Sequence, residues 1–264
     1  MRKNISFKKG TIFFSDSGKG RTIVLLHGFL GAAGIWEHAV VNLSKSYRVI
    51  CIDLPGHGQS DSFGYAHSME LMARSVKAVM DHLKLKRYVI AGHSMGGYAA
   101  LAFAELFPDN LKGLCLIHSS AYPDSSEKRK ERERAIKLIR QNKKVYTSET
   151  IRNLFAKKNL KYLKKEIVFT NKIAGRTTRQ GMVAALLGMR DRPGRDIILG
   201  LVDYPIMMVI GEHDNMIPAT QLLEQSEVLR HGTVLYLEHD GHMGFLESPL
   251  VFVKELRKFL RKCF

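Results

Sequence analysis

Six short runs rich in Val, Ile and Leu alternate with stretches of helical spacing, and that alternation constrains the fold of this chain more than any other feature. The runs are Thr22–Leu26, Tyr47–Ile52, Tyr88–Ala91, Leu114–Ile117, Ile206–Ile210 and Thr233–Leu237. The first reads Thr-Ile-Val-Leu-Leu with no polar interruption, the pattern of a strand buried on both faces. Helical spacing covers Ser68–Leu85, Gly96–Phe107, Thr220–Arg230 and Leu250–Leu260. Strands alternating with helices build a parallel sheet with crossover helices, and the residues around Ile5 to Phe14 add an antiparallel hairpin at its edge. The expected fold is α/β, with a mostly parallel central sheet of about eight strands and helices on both faces.

The alternation breaks once. Between Tyr122 and Gly200 no strand-like run appears, and the segment reads as helices at Lys128–Gln141, Thr150–Leu163 and Thr178–Met189. Asp124-Ser125-Ser126-Glu127 has the form of a capping box for the first of them. The expected organisation is a core of residues 1–121 and 201–264 with a helical cap, residues 122–200, inserted over the carboxyl edge of the sheet, where open α/β sheets place their sites. That insert is strongly basic. It holds 21 Lys and Arg against 8 Asp and Glu, a net +13 of the chain's +16.

No apolar run approaches the roughly 20 residues that span a bilayer, and no apolar segment follows the charged N-terminus as a secretory signal would. Cytoplasm is the default compartment. Three widely spaced cysteines, Cys51, Cys115 and Cys263, fit a reducing environment, and no CxxC or His–Cys cluster points to a metal. No cofactor is implied. A recognition motif for nucleic acid is also missing, so the basic excess does not indicate DNA or RNA.

The motif richest in chemistry is Gly92-His93-Ser94-Met95-Gly96, directly after a strand and directly before a helix. Holding a serine hydroxyl out at a strand tip needs a sharp, strained turn whose neighbours have no room for a Cβ, and the helix N-terminus then faces the reacting oxygen. A base for Ser94 is sought late in the chain, where Glu238-His239-Asp240-Gly241-His242 follows the last strand. His242 is preferred over His239 because Gly241 lets the backbone turn the ring toward the sheet edge. The acid is sought after the preceding strand, in Gly211-Glu212-His213-Asp214, with Asp214 preferred over Glu212. The order Ser, Asp, His belongs to this architecture. A negative tetrahedral intermediate needs preorganised donors, for which the backbone N–H groups of Phe29, in His27-Gly28-Phe29-Leu30-Gly31, and of Met95 are the candidates.

These motifs, with Asp53-Leu54-Pro55-Gly56-His57-Gly58, make the chain resemble the α/β-hydrolase fold family over its whole length. The resemblance implies hydrolysis of an ester, thioester or lactone through a Ser94 acyl-enzyme, with a structural role for the Asp53–Ser60 loop. A second, weaker resemblance is to the menaquinone-pathway synthase that eliminates pyruvate. Those enzymes carry Arg directly after the glycines of the elbow, where this chain has Tyr98. A third reading is a slow-turnover receptor for a small molecule.

The pocket is expected to be lined by His27, Gly28, Leu30, Trp36, His93, Tyr98, Met216, Ile217 and Met243, and to be apolar at its base, where Phe29, Leu30, Trp36, Met95, Met216, Ile217 and Met243 fall on loops at the carboxyl edge. Met182, Leu186 and Met189 share one face of the last cap helix, where they either touch substrate or dock the cap on the core. The basic cap is either a solvated face or a surface for an anionic partner. For the second, an acidic carrier protein or coenzyme A carrying the acyl group suits best, as in the carboxyl-ester hydrolases of the biotin pathway that this layout resembles.

Overall fold

A run that is apolar at every position must be covered on both faces. In the computed structural model, which describes residues 2–264, all five side chains of Thr22–Leu26 are buried. The elements, in chain order, begin with strands β1 (Arg2–Phe7), β2 (Gly10–Ser17) and β3 (Thr22–Leu26), helix α1 (Glu37–Leu43), β4 (Arg48–Ile52), α2 (Met69–His82), β5 (Tyr88–His93), α3 (Met95–Leu106) and β6 (Leu111–Ile117). Four helices follow, α4 (Ser126–Leu154), α5 (Lys164–Ala174), α6 (Arg179–Arg190) and α7 (Asp196–Leu201). The chain then returns through β7 (Ile206–Gly211), α8 (Ala219–Ser226), β8 (Gly232–Leu237), α9 (Gly244–Glu247) and α10 (Pro249–Cys263).

The eight strands form one sheet in the order β1-β2-β4-β3-β5-β6-β7-β8, antiparallel at β1–β2–β4 and parallel elsewhere. The expected α/β class, strand number and hairpin are all present. From β3 the chain moves one way across the sheet to β4, and from β5 it moves the other way to β6. The carboxyl ends of β3 and β5 therefore flank the switch point, where such sheets open a crevice. Cys51, Cys115 and Cys263 are free and buried, and burial pushes the Cys51 and Cys263 thiols up to about 12. No helix among the described residues is long and apolar enough to cross a membrane.

The helical segment between β6 and β7 departs in detail from its expected pattern. Ser125 caps α4, its Oγ accepting from Lys128 N–H, and α4 runs on to Leu154 across a break at Asn142 (φ −145°, ψ 86°). The helix expected over Thr150–Leu163 stops at Leu154, where the backbone turns extended at Phe155 (φ −90°, ψ 148°), and Phe155 and Ala156 are fully buried. Ala156 N–H there donates to the Glu247 carboxylate, 3.1 Å away, instead of to a helix carbonyl. Lys157–Asn159 form a single 3-10 turn. Helix α6 packs on the core through glycine: a Cβ at Gly188 would stand 1.7 Å from His67 O, and one at Gly181 would stand 2.1 Å from Gly56 O.

Loops beside β3 and β4 are tied by buried histidines. His27 Nδ1–H donates to Gly28 O (2.8 Å), and its Nε2 accepts from Leu54 N–H (3.0 Å). His57 donates to Pro55 O, and His67 Nε2 accepts from Phe63 N–H. Burial lowers the pKa of His27 and His67 to about 4 and of His57 to about 3. Folded rings thus stay neutral where unfolded ones, titrating near 6.5, take up protons, so stability is present above that pH and is lost as pH falls toward 4. Between pH 7 and about 5.5 the three rings together remove several kcal/mol, or on the order of 10 °C of Tm. Scanning calorimetry at the two pH values should show that fall; a Tm that does not change would mean the rings are solvated.

Candidate active site

At the end of β5 the chain turns sharply into α3, and Ser94 occupies the turn with φ 49° and ψ −115°. For a residue with a Cβ this conformation costs of order 1–3 kcal/mol and persists only where its surroundings impose it. Here Ser94 N–H donates to Ile117 O (2.9 Å), while Ser94 O accepts from Gly97 N–H (2.8 Å) and Ser119 Oγ (2.9 Å). Close approach explains the glycines. A Cβ on Gly92 would lie 2.3 Å from Gly96 O, and one on Gly96 would lie 2.5 Å from Leu26 O. The start of α3 is thereby pressed against the end of β3. Met95 N–H is the first amide of that helix, with no helical carbonyl to receive it.

Past β8, His242 Nδ1 lies 2.7 Å from Asp214 Oδ2. Both side chains are buried, at 3% and 0% exposure. The other carboxylate oxygen of Asp214 accepts from Met216 N–H (2.7 Å) and Ile217 N–H (3.1 Å). Burial works to raise the Asp214 pKa, but His242, His118 and the Met216 amide together outweigh it and hold the carboxyl below its ordinary value. The ionised Asp214 thus accepts a hydrogen bond from His242 Nδ1–H.

Gly241 is needed for a reason other than a turn. A Cβ there would stand 2.5 Å from Ala156 N, because the end of α4 crosses this loop. His242 N–H donates to Leu154 O (2.8 Å), and His242 O accepts from His93 Nε2–H (2.9 Å). The loop is thus pinned from both sides. The competing residues stand apart: Glu212 and His239 are exposed, and His239 Nδ1 is 3.3 Å from Lys158 Nζ.

Ser94 and His242 border one small cavity, with about 60 Å³ of free space inside it. Of the residues expected around it, Phe29, His93, Tyr98, Met189, Met216 and Ile217 are there. Others are not. Trp36 is fully buried against Phe245, ring centroids 4.4 Å apart. His27 ties the Leu54 loop, Gly28 gives way to the His93 ring (2.5 Å from a Cβ), and Leu30, Met182, Leu186 and Met243 are core residues. Lys128, Arg132, Thr150 and Leu154 line the cavity but were not anticipated individually. Each pair lies four residues apart on α4, a spacing visible in the sequence, though nothing there shows which face meets the cavity. His118, also unanticipated, is fully buried at φ 46°, its Nδ1 3.7 Å from Asp214 Oδ2 and its Nε2 accepting from Gly244 N–H (3.2 Å). Burial lowers its pKa to about 3, so it faces Asp214 as a neutral ring. Among the described residues no group of three or more His, Cys, Asp or Glu is placed to hold a metal ion.

Comparison with known proteins identifies the family. The chain is 28% identical over 253 residues to the dihydrolipoyllysine-residue acetyltransferase component of the acetoin cleaving system of Pseudomonas putida, covering 95% of itself and 66% of that protein. It is 25% identical over 259 residues to the pimeloyl-[acyl-carrier protein] methyl ester esterase of Nitrosomonas europaea, covering 92% and 97%. Its structure superposes on a malate-bound thermophilic esterase from Thermogutta terrifontis with a TM-score of 0.93, at 29% identity and over 100% and 99% of the two chains. The alpha/beta hydrolase fold model matches residues 21–249, from just before β3 into the start of α10 and through every residue that borders the cavity, and the chain belongs to that family.

Proposed function

We propose that the chain hydrolyses a carboxylic ester, thioester or lactone through an acyl-enzyme on Ser94. The observation that carries this reading is the buried 2.7 Å contact of His242 with Asp214, on a ring that borders the same cavity as the strained Ser94. Esterases among the relatives support a hydrolase. In the proposed reaction His242 Nε2 takes the Ser94 proton as Oγ attacks the carbonyl carbon, and Asp214 stabilises the imidazolium that forms. The Phe29 and Met95 N–H groups receive the negative oxygen of the tetrahedral intermediate. His242 then returns the proton to the leaving group, and water repeats the sequence to release the acid.

Residues 122–200 act in this proposal as a cap that closes the cavity with α4 and α6. A pyruvate-eliminating lyase is the second reading, because a guanidinium, that of Arg132, does border the cavity beside Tyr98. Arg192, whose guanidinium lies 3.9 Å over the Tyr98 ring, is held by Asp124, Met189 O and Tyr122 O and is not free for that role. Lys157, Lys158, Lys161 and Lys164 line a surface groove around the 3-10 turn. This groove is the place proposed for an acidic carrier protein.

A serine-directed phosphonate should label Ser94, and Ser94→Ala should abolish both labelling and turnover of p-nitrophenyl acetate. Asp214→Asn should lower kcat by about 10⁴-fold through the wrong tautomer of His242, whereas Glu212→Gln and His239→Ala should stay within a few-fold of wild type. A label on another serine, or a crippled Glu212→Gln, would remove the assignment.

The charge of the helical segment makes a separate demand. With an acidic thioester, kcat/KM should fall steeply as ionic strength rises and be reduced by charge reversal at the four lysines, while a neutral short-chain ester responds little. Equal salt dependence for both would make the basic groove an ordinary solvated face.

A further inference from the structure

Arg132 and Lys128 lie one turn apart on α4, and both reach the cavity that holds Ser94. The Arg132 side chain is only 12% exposed. Its Nε and Nη2 bond to Asp124, whose own side chain is 2% exposed. Arg192 grips the same carboxylate from the other side, with Nη1 2.5 Å from Asp124 Oδ1. Two buried guanidinium groups therefore share one carboxylate, and one positive charge is left over.

The excess has a direction. Arg192 gives its remaining contacts to Met189 O (2.7 Å) and Tyr122 O (2.9 Å), with its guanidinium over the Tyr98 ring. Arg132 Nη1 makes no hydrogen bond among the described residues, and Arg132 is the guanidinium that borders the cavity. Lys128 adds a second cation, held by Glu131 (2.9 Å) and Met216 O (3.4 Å). No Asp or Glu is among the residues that line the cavity. A poorly solvated surplus of charge is costly, so the part of the Arg132 guanidinium left without a hydrogen bond is suited to an added counterion. A guanidinium with a free edge suits a carboxylate, whose two oxygens match its fork.

We infer that Arg132, aided by Lys128, forms a carboxylate-binding subsite inside the cavity, so that the ester accepted there carries a second, ionised carboxyl group. The inference rests on the proposed ester hydrolysis at Ser94 and narrows its substrate class to half-esters of dicarboxylic acids or esters of hydroxy acids. It also assigns the pair Arg132 and Arg192 distinct tasks. Arg192 holds Asp124 in place, and Arg132 is left to face the substrate.

The test compares each anionic ester with its neutral methyl ester. The acyl side is probed with monomethyl succinate, glutarate and adipate against the dimethyl esters, and the alcohol side with acetoxybutanoate against its methyl ester. Wild type is expected to favour at least one anionic member by tenfold or more in kcat/KM, and which series is favoured tells which side of the ester carries the charge. In Arg132→Met that ratio should fall to within about twofold of one, while Arg132→Lys, which keeps the charge, should recover part of it. Should Arg132→Met fail to fold, Lys128→Met, at a part-exposed position, should lower the ratio at least threefold. A wild-type ratio near one, or a ratio that survives Arg132→Met and Lys128→Met, overturns the subsite and leaves ester hydrolysis standing. If wild type turns over no ester at all, calorimetric titration with glutarate separates the two ideas. Binding at least tenfold weaker in Arg132→Met, or in Lys128→Met if the first variant does not fold, upholds the subsite, and equal or absent binding overturns it.

Discussion

The start of α3 can approach the ends of β3 and β5 only because Gly92 and Gly96 have no Cβ, and the rest of the site is arranged around that approach. Gly96 lies against Leu26 O and His27 O, where a Cβ would be 2.5 and 2.6 Å away. With the helix start seated there, Ser94 is forced to φ 49° and its neighbour Met95 presents the first free amide of α3 beside the β3 loop. The hydrogen bonds from Ser94 N–H to Ile117 O and from Ser119 Oγ to Ser94 O carry the strain into β6 and its following loop. One constraint on backbone packing thus sets a hydroxyl and a helix terminus in the same crevice at the switch point of the sheet.

The helical segment between β6 and β7 contributes Lys128, Arg132, Thr150, Leu154 and Met189 to the lining of the cavity. Leu154 O receives the His242 amide, and Glu247 links the Gly241 amide to the Ala156 amide and to Asn159. Burial raises the Glu247 pKa even though these donors oppose it. The ring that touches Asp214 is therefore positioned partly by the end of α4, and the same helix brings Lys128, Arg132 and Thr150 to the cavity from its other end and its last turns.

Much of this arrangement was legible in the sequence for physical reasons. Buried parallel strands need continuous apolar runs, and an elbow that tight needs glycine at fixed offsets, so the strands and the Gly92–Gly96 turn announce themselves. Ser94, Asp214 and His242 lie along one edge of the sheet because their loops follow the carboxyl ends of β5, β7 and β8. What was not legible depends on contacts between distant segments. Trp36 follows β3 closely yet packs on Phe245, more than 200 residues away, rather than facing the cavity. Met182 and Leu186 share a face with Met189, but only Met189 extends past the core to the cavity. Gly241 looked like a turn glycine and is a contact glycine, because α4 ends against it. Arg132 was visible as one of many charges. Its significance comes from sharing Asp124 with Arg192, 60 residues further on, which no local pattern records.

The central claim is that Ser94 and His242 act as one unit, and a double-mutant cycle on kcat/KM for a simple ester tests it most directly. Ser94→Ala and His242→Ala should each be severely impaired, and the double variant should be no worse than either alone within a few-fold, because removing one member already removes what the other does. Losses that multiply in the double variant would show two independent contributions and contradict the shared proton transfer on which the proposed chemistry depends.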